Sequence, residues 1–498
     1  MMCHRFHRVR LGAAVLLAAM ALAGGAIAQE DAMSWPEHIQ LVLDETKPLE
    51  FDRAGRLPLY LWPAMNPGTM DDARAEALVR ALDTRGVGLV CSWRHDKTDE
   101  SLAECLPVAR AQKKLGLRVN VNATTPMYSF FDGSEETAHL GDDGKPFFDD
   151  TFGKKPMGCP FRLEHRIAPM RERIERFAAA YAAEGLPIGF VFADWEIDGP
   201  LEWNRAHDAS KRCTVCRENL PELDDFLTYQ DELRRLRSRI QRLAYAEPIL
   251  ESSPGALVGN YAVYPHDGWR YWYDYFERYV AGQPALADQK ARYRHWGNDF
   301  EGTGYTFAMP VVYPWSWTWN WYDFEPGDYR WFYNGLLVAS NAGRHTPPAV
   351  PIIAFVHWHT VDVGLTAGEG DPPANAKPAQ QMSEATYQEL LWHMLLRGTD
   401  TFFLWCMKQE QAKEVQLLHP VYAAAQEYGA FLENGVPITF DVPARPGTVV
   451  SGLRMGNEVL VRRTDFAANT EPVQIAVGGR ALEVPAAPGT CQVLTLGK

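Results

Sequence analysis

At 498 residues the chain exceeds one ordinary domain and suits one large domain with a small accessory one. A hydrophobic content of 46% supports a sizeable core. The formal net charge of −14 argues against binding nucleic acid or an anionic membrane through bulk charge, although one basic groove would be compatible with it.

The N-terminus carries Arg5, Arg8 and Arg10, then the apolar run Leu11 to Ala23, then Ala26-Ile27-Ala28 before Gln29. That order is a secretory signal with an A-x-A cleavage site, so a signal peptide is expected over 1–28. Its removal takes away three positive charges and no acids, moving the net charge from −14 to −17. No other segment has the unbroken apolar length of a membrane span, so the mature product is expected to be soluble, exported to the periplasm or beyond, without a membrane partner. Nothing in the sequence speaks to oligomeric state. Seven cysteines remain after cleavage, an odd number that leaves at least one unpaired or paired between chains. Cys213-Thr-Val-Cys216 has the spacing of half a zinc site or of a local disulfide. No second pair follows it, so a disulfide or two free thiols is the expectation, with no metal and no cofactor.

In chain order, apolar β-forming runs alternate with helical spacing. Strands are expected at Pro58–Met65, Val87–Trp93, Leu117–Asn122, Gly189–Asp194, Ala256–Tyr264, Thr306–Tyr313, Val350–Trp358 and Thr401–Cys406. Pro310 argues that the sixth is irregular or starts late. Helices are expected at Asp71–Leu82, Ser101–Leu115, Arg162–Glu184, Leu223–Ala244, Tyr271–Tyr279, Gln283–His295, Trp331–Ala339 and Ser383–Arg397. Eight such strands alternating with helices is the count of an α/β (β/α)8 TIM barrel, placed at 29–431. Short runs at Ile438–Val442, Thr448–Leu453, Glu458–Arg463, Glu471–Val477 and Gln492–Leu496, parted by Pro, Gly and Asn, describe a small antiparallel, sandwich-like β domain over 432–498.

A barrel of this kind builds its site at the C-terminal ends of its strands. There the sequence places Trp62, Trp93, Asn122, Asp194 with Glu196, Tyr264 with Asp267, Tyr313 with Trp315, His357 with Trp358, and Trp405. The set is aromatic and acidic, with no phosphate-binding Gly loop and no cofactor fingerprint. Aromatic faces stack on sugar rings, and paired carboxyls cleave glycosidic bonds, so an oligo- or polysaccharide is the expected substrate. Along a strand Asp194 and Glu196 share a face, and mutual repulsion would raise the pKa of one of them. Plainer readings stand beside these. Asp194 could be satisfied by backbone donors and Glu196 solvated. Part of the runs Trp269–Phe276 and Trp315–Tyr322 must be ordinary packing. His357 and His359 lack a clear third metal ligand and are expected to bond substrate or pack; His95 and His266 carry less signal still.

Asp194-Trp195-Glu196 with Trp203 after it resembles the acidic signature of hyaluronidase-type glycosidases and, more loosely, the D-x-E ending of the chitinase-type signature. Met309-Pro-Val-Val-Tyr313 resembles the chitinase-type Met-x-Tyr strand, and Trp405 matches a Trp that floors the sugar subsite in those barrels. The resemblance covers the barrel plan and about a dozen residues, and it stops at Ile197-Asp198-Gly199-Pro200, where hyaluronidases carry further acidic and aromatic residues. It implies a retaining mechanism whose nucleophile is the substrate's own 2-acetamido group. Glu196 would be the general acid, Asp194 would hold the acetamido N–H and stabilise the cyclic cation, and Tyr313 or Tyr264 would bond the acetamido oxygen. Two alternatives stay open. One is a conventional two-carboxylate glycosidase, for which strand seven, ending in His-Trp-His, offers no glutamate and Asp267 or Asp323 is the fallback partner. The other is a glycan-binding protein without activity.

Overall fold

The computed structural model describes residues 35–127, 135–149, 158–195, 207–266, 299–314, 316–319, 322–360 and 378–497. The expected signal peptide and the helices expected at 271–279 and 283–295 lie outside them.

Eight parallel strands form one curled sheet: β1 (Leu59–Met65), β2 (Val87–Ser92), β3 (Val119–Asn122), β4 (Ile188–Ala193), β5 (Leu257–Asn260), β6 (Val311–Val312), β7 (Ile353–Val356) and β8 (Thr401–Leu404). Ladders run without a break from β5 through β4, β3, β2, β1, β8 and β7 to β6, so β1 pairs with β8 and the sheet bends round like a TIM barrel. Between β5 and β6 the pairing is irregular: Thr306 N–H donates to the Val258 carbonyl at 2.9 Å and Met309 N–H to the Val263 carbonyl at 3.0 Å. Pro310, which has no N–H, sits at this seam, and β6 starts only after it. The strands are buried on both faces, which is why they read as continuous apolar runs.

Helices pack outside: α1 (Glu37–Glu45), α2 (Asp72–Asp83), α3 (Thr98–Lys114), α4 (Ile167–Ala183), α5 (Phe226–Gln241), α6 (Asp328–His345), α7 (Glu384–Leu395) and α8 (Gln411–Ala425). Side-chain caps mark the starts of two of them. Asp71 accepts from Arg74 N–H at 2.8 Å before α2, and Ser383 accepts from Thr386 N–H at 3.3 Å before α7. Helix α1 is not among the expected helices; it begins after Pro36 without a side-chain cap. It buries Ile39 and Val42, and Gln416 of α8 donates to Glu45 at 2.7 Å.

The C-terminal region adds antiparallel sheets. One orders β9 (Val436–Pro437), β10 (Thr448–Met455), β11 (Glu458–Asp465) and β14 (Cys491–Thr495); the other pairs β12 (Val473–Val477) with β13 (Arg480–Val484). Residues 438–442, expected as a strand, do not form one beyond the bond from Ile438 N–H to the Gly452 carbonyl, and β13 was not anticipated. Val459, Val461, Val477, Leu482 and Val484 make a core of their own between these strands.

Candidate active site

Strand alternation sets the site. On β4, Phe190 and Phe192 point to the sheet's inner face, because their rings meet rings from distant strands. Phe190 stacks on Tyr60 at 4.1 Å, and Phe192 lies 4.5 Å from Phe403 and 5.6 Å from Phe355. Asp194 follows two residues on, so it continues that face at the mouth. Trp195 takes the other side and is fully buried. Its N–H donates to Asn260 Oδ1 at 2.8 Å, and its carbonyl accepts from Asn260 Nδ2 and from the Arg237 guanidinium, both at 3.0 Å. The strand exit is thereby fixed to β5 and α5.

Asp194 is held from below by a relay across three strand ends. Its N–H donates to Thr124 Oγ1 at 2.7 Å, the Thr124 hydroxyl donates to Asn122 Oδ1 at 2.6 Å, and Asn122 Nδ2 donates to Ser92 Oγ at 3.1 Å. The carboxyl itself is less provided for. Asp194 Oδ1 is buried with no hydrogen-bond partner among the described residues, the one carboxyl oxygen in that position. Burial pushes the Asp194 pKa up to about 7. The resemblance implies an ionised Asp194 beside an acidic Glu196, whereas desolvation favours the neutral form of Asp194 in the structure. Glu196, Asp267 and Trp315 lie outside the described residues.

Three aromatic or imidazole rings gather at the ends of β6, β7 and β8. Trp405 lies 5.8 Å from Tyr313 and 5.0 Å from His357, with Tyr313 and His357 5.7 Å apart. Trp62, midway along β1, meets Phe192 edge-on at 6.4 Å. Tyr313, Trp62 and Trp405 are only half-buried, so each keeps ring surface available. Tyr264 is buried, its ring 4.9 Å from that of His266.

Other expected ligands have different work. Trp93 is fully buried and stacks on Phe177 of α4 at 4.9 Å, on the outside of the sheet, so it is no sugar platform. Trp358 also points outward: its indole donates to the Met382 carbonyl at 2.9 Å and Lys413 lies 6.0 Å from its ring. The Asn122 amide is spent at both ends on Ser92 and Thr124, which makes it a positioning residue rather than a substrate contact. In the Trp315–Tyr322 run, Trp319 packs on Trp331 at 5.1 Å and Tyr322 on Phe324 at 5.4 Å. Asp323 is fully exposed, 3.5 Å from Arg330.

His357 faces two carboxylates that the sequence reading missed. Its Nε2 is 3.1 Å from Glu410 Oε2 and 3.1 Å from Glu414 Oε1. The carboxylates are spaced i, i+4 just after β8, a pattern visible in the sequence. The three groups could share a metal ion. However, Glu414 already accepts from the N–H groups of Trp358 and His359, at 2.8 to 3.1 Å, and so acts as an anchor for the end of β7. Burial pushes Glu414 up to about 8 and His357 down to about 4, so both favour their neutral forms. A second cluster of donor atoms, His139, Cys159, Cys213 and Cys216, lies in the connections after β3 and β4.

No family model and no curated protein matches the sequence. Among solved structures, a polyextremophilic beta-galactosidase from the Antarctic haloarchaeon Halorubrum lacusprofundi is 13% identical with a TM-score of 0.44, over 76% of this chain and 59% of that one. Alpha-L-fucosidase isoenzyme 1 from Paenibacillus thiaminolyticus is 12% identical with a TM-score of 0.38, over 93% of this chain and 99% of that one. Bee venom hyaluronidase is 15% identical with a TM-score of 0.33, over 69% and 99%. The functional reading rests on the mouth residues themselves.

Proposed function

We propose that the protein is an exported glycoside hydrolase that cleaves an N-acetylhexosamine-containing glycan with retention, using the substrate's acetamido group as nucleophile. The observation that carries this is the buried Asp194 Oδ1, without a hydrogen-bond partner among the described residues, at a mouth edged by Trp62, Tyr313 and Trp405. An acceptor without a donor among the described residues is suited to the acetamido N–H. Ionising Asp194 there is costly until a positive charge faces it, and the cyclic oxazolinium-like intermediate supplies one. The interaction therefore strengthens as the reaction proceeds, which is the requirement for lowering a barrier rather than only binding substrate. Glu196, two residues on, would protonate the leaving oxygen and later activate water. Tyr313 would bond the acetamido oxygen and Trp405 would floor the subsite.

The conventional two-carboxylate reading has less support. Asp323 is on the surface with Arg330, and Glu410 and Glu414 are engaged by His357 and by backbone N–H groups. Digestion of a glycan panel by wild type, Asp194→Asn and Glu196→Gln, with a thiazoline mimic of the cyclic intermediate as inhibitor, tests the proposal. The expected result is thiazoline inhibition and a loss of kcat of about 100-fold or more for each variant, the scale of removing one charge-stabilising group. Because Asp194 must be ionised, kcat/KM should fall as pH drops through about 7. Hydrolysis indifferent to the thiazoline, with kcat/KM falling as pH rises through the same range, would instead make Asp194 the acid of a two-carboxylate enzyme. Glycan affinity without hydrolysis would leave a binding protein.

A further inference from the structure

Four side chains from three separate segments meet in one buried cluster. His139 stands in a short hairpin (His139–Leu140 with Pro146–Phe147), Cys159 precedes a turn at Pro160–Arg162, and Cys213 and Cys216 flank the start of a helix at Thr214–Asn219. Their ligand atoms all lie within 4.8 Å of one another, and all four side chains are buried. Cys159 Sγ is 3.4 Å from Cys216 Sγ and 3.9 Å from Cys213 Sγ, and His139 Nδ1 is 3.8 Å from Cys216 Sγ. Thiolates about 2.3 Å from a tetrahedral ion stand roughly 3.8 Å apart along each edge, with an imidazole nitrogen slightly nearer. A disulfide needs about 2.05 Å between sulfurs and would use two of the three thiols, leaving the third and the imidazole unexplained.

We propose that His139, Cys159, Cys213 and Cys216 bind one structural Zn2+ ion. The donor set is the closed Cys3His type, with no position left for water or substrate, which fits a structural and not a catalytic ion. Soft thiolates favour zinc over calcium or magnesium. Binding releases the three thiol protons and leaves a site of net charge −1. Leu140 N–H points at Cys213 Sγ at 3.4 Å, a donor for one thiolate, while His139 is fixed by stacking on Phe147 at 5.1 Å. The backbone is shaped to bring the ligands in. A Cβ on Gly158 would lie 2.1 Å from the Thr137 carbonyl oxygen, so glycine alone lets Cys159 close on the hairpin, where its N–H donates to that same carbonyl at 2.7 Å.

The placement gives the ion a task. His139 and Cys159 belong to the connection leaving β3, which begins with the Asn122–Thr124 relay, and Cys213 and Cys216 to the connection leaving β4, which begins with Asp194. Zinc would cross-link the two loops on either side of the candidate acid. Elemental analysis of the untagged full chain, prepared without chelator, should find one zinc per chain. The three thiols should resist alkylation until a mercurial releases the metal, and cobalt substitution should give the intense visible bands of a tetrahedral thiolate site. Cys216→Ser and His139→Ala should lose the bound equivalent, while Cys491→Ser keeps it. Should a ligand variant fail to fold, the wild-type stoichiometry and cobalt spectrum still decide. Zinc-free protein whose Cys159, Cys213 and Cys216 alkylate freely, or in which two of them form a disulfide by peptide mapping, overturns the proposal.

Discussion

Asp194 illustrates how one residue can trade stability for chemistry. Its folded pKa of about 7 stands above the ~3.9 of an unfolded Asp. Below about pH 4 both states are protonated and the group costs nothing. Between about pH 4 and 7 the unfolded chain ionises first, so folding stability falls as pH rises, and above 7 the whole penalty is present. Three pH units correspond to at most ~4 kcal/mol. Asp194→Asn has no such charge, so we expect its melting temperature to exceed that of wild type by several degrees at pH 8 and to match it near pH 4, while its activity is lost. Equal differences at both pH values would show that the carboxyl is not destabilised by burial. A gain in stability paired with a loss of turnover is the signature of a strained functional group rather than of a structural one.

At the scale of elements, the β5–β6 seam is the irregular join in the curled sheet. Phe307 fills the gap between these strands, stacked 5.3 Å from Phe190, and a Cβ on Gly259 would lie 2.5 Å from its ring. Gly259→Ala should therefore destabilise by about 1–3 kcal/mol, the cost of overpacking a filled core. The urea midpoint should drop with an unchanged slope; a neutral substitution would mean that Phe307 can move aside. This level of structure was largely legible. Continuous apolar runs marked all eight strands because both faces are covered, and Pro310 marked the late start of β6. Parity along the strands was also available: with Phe355 and His357 inside, Val356 and Trp358 must face out, and Trp358 was misassigned for want of that step. Other features were not legible. The capless α1 is held by contacts with α8 from the far end of the chain, and the cysteine cluster draws ligands from positions 139, 159, 213 and 216, a spacing set by folding of loops rather than by any local period. The desolvation of Asp194 likewise depends on what covers it, which adjacent sequence does not specify.

At the scale of the molecule, the C-terminal sheets are bound to the curled sheet through α7 by a buried polar network, so the two parts should unfold together. Arg397, at the end of α7, is fully buried; it donates to Ser451 Oγ at 2.8 Å, to Ser340 Oγ at 2.7 Å and to the Asp441 carbonyl at 3.0 Å. His393 joins Ser451 Oγ at 2.7 Å and Thr464 Oγ1 at 2.9 Å, and burial holds its pKa well below the usual imidazole range. Arg462 of β11 forks onto Glu389 of α7 at 2.9 and 2.5 Å. Helix α7 leads directly into β8, which ends beside Trp405, so these bonds brace the wall that carries the aromatic mouth. Arg397→Ala strands buried hydroxyls and a carbonyl on both sides of the contact, and the expected cost is about 3 kcal/mol. The more telling measurement is the shape of the calorimetric transition. Wild type should melt in one step and Arg397→Ala in two, the C-terminal sheets first. Arg462→Lys, which keeps the charge but loses the fork, should lower the midpoint less and keep the single step. One unchanged transition in Arg397→Ala would place the coupling in the apolar contacts of Leu396, Phe431, Leu453 and Leu460 instead.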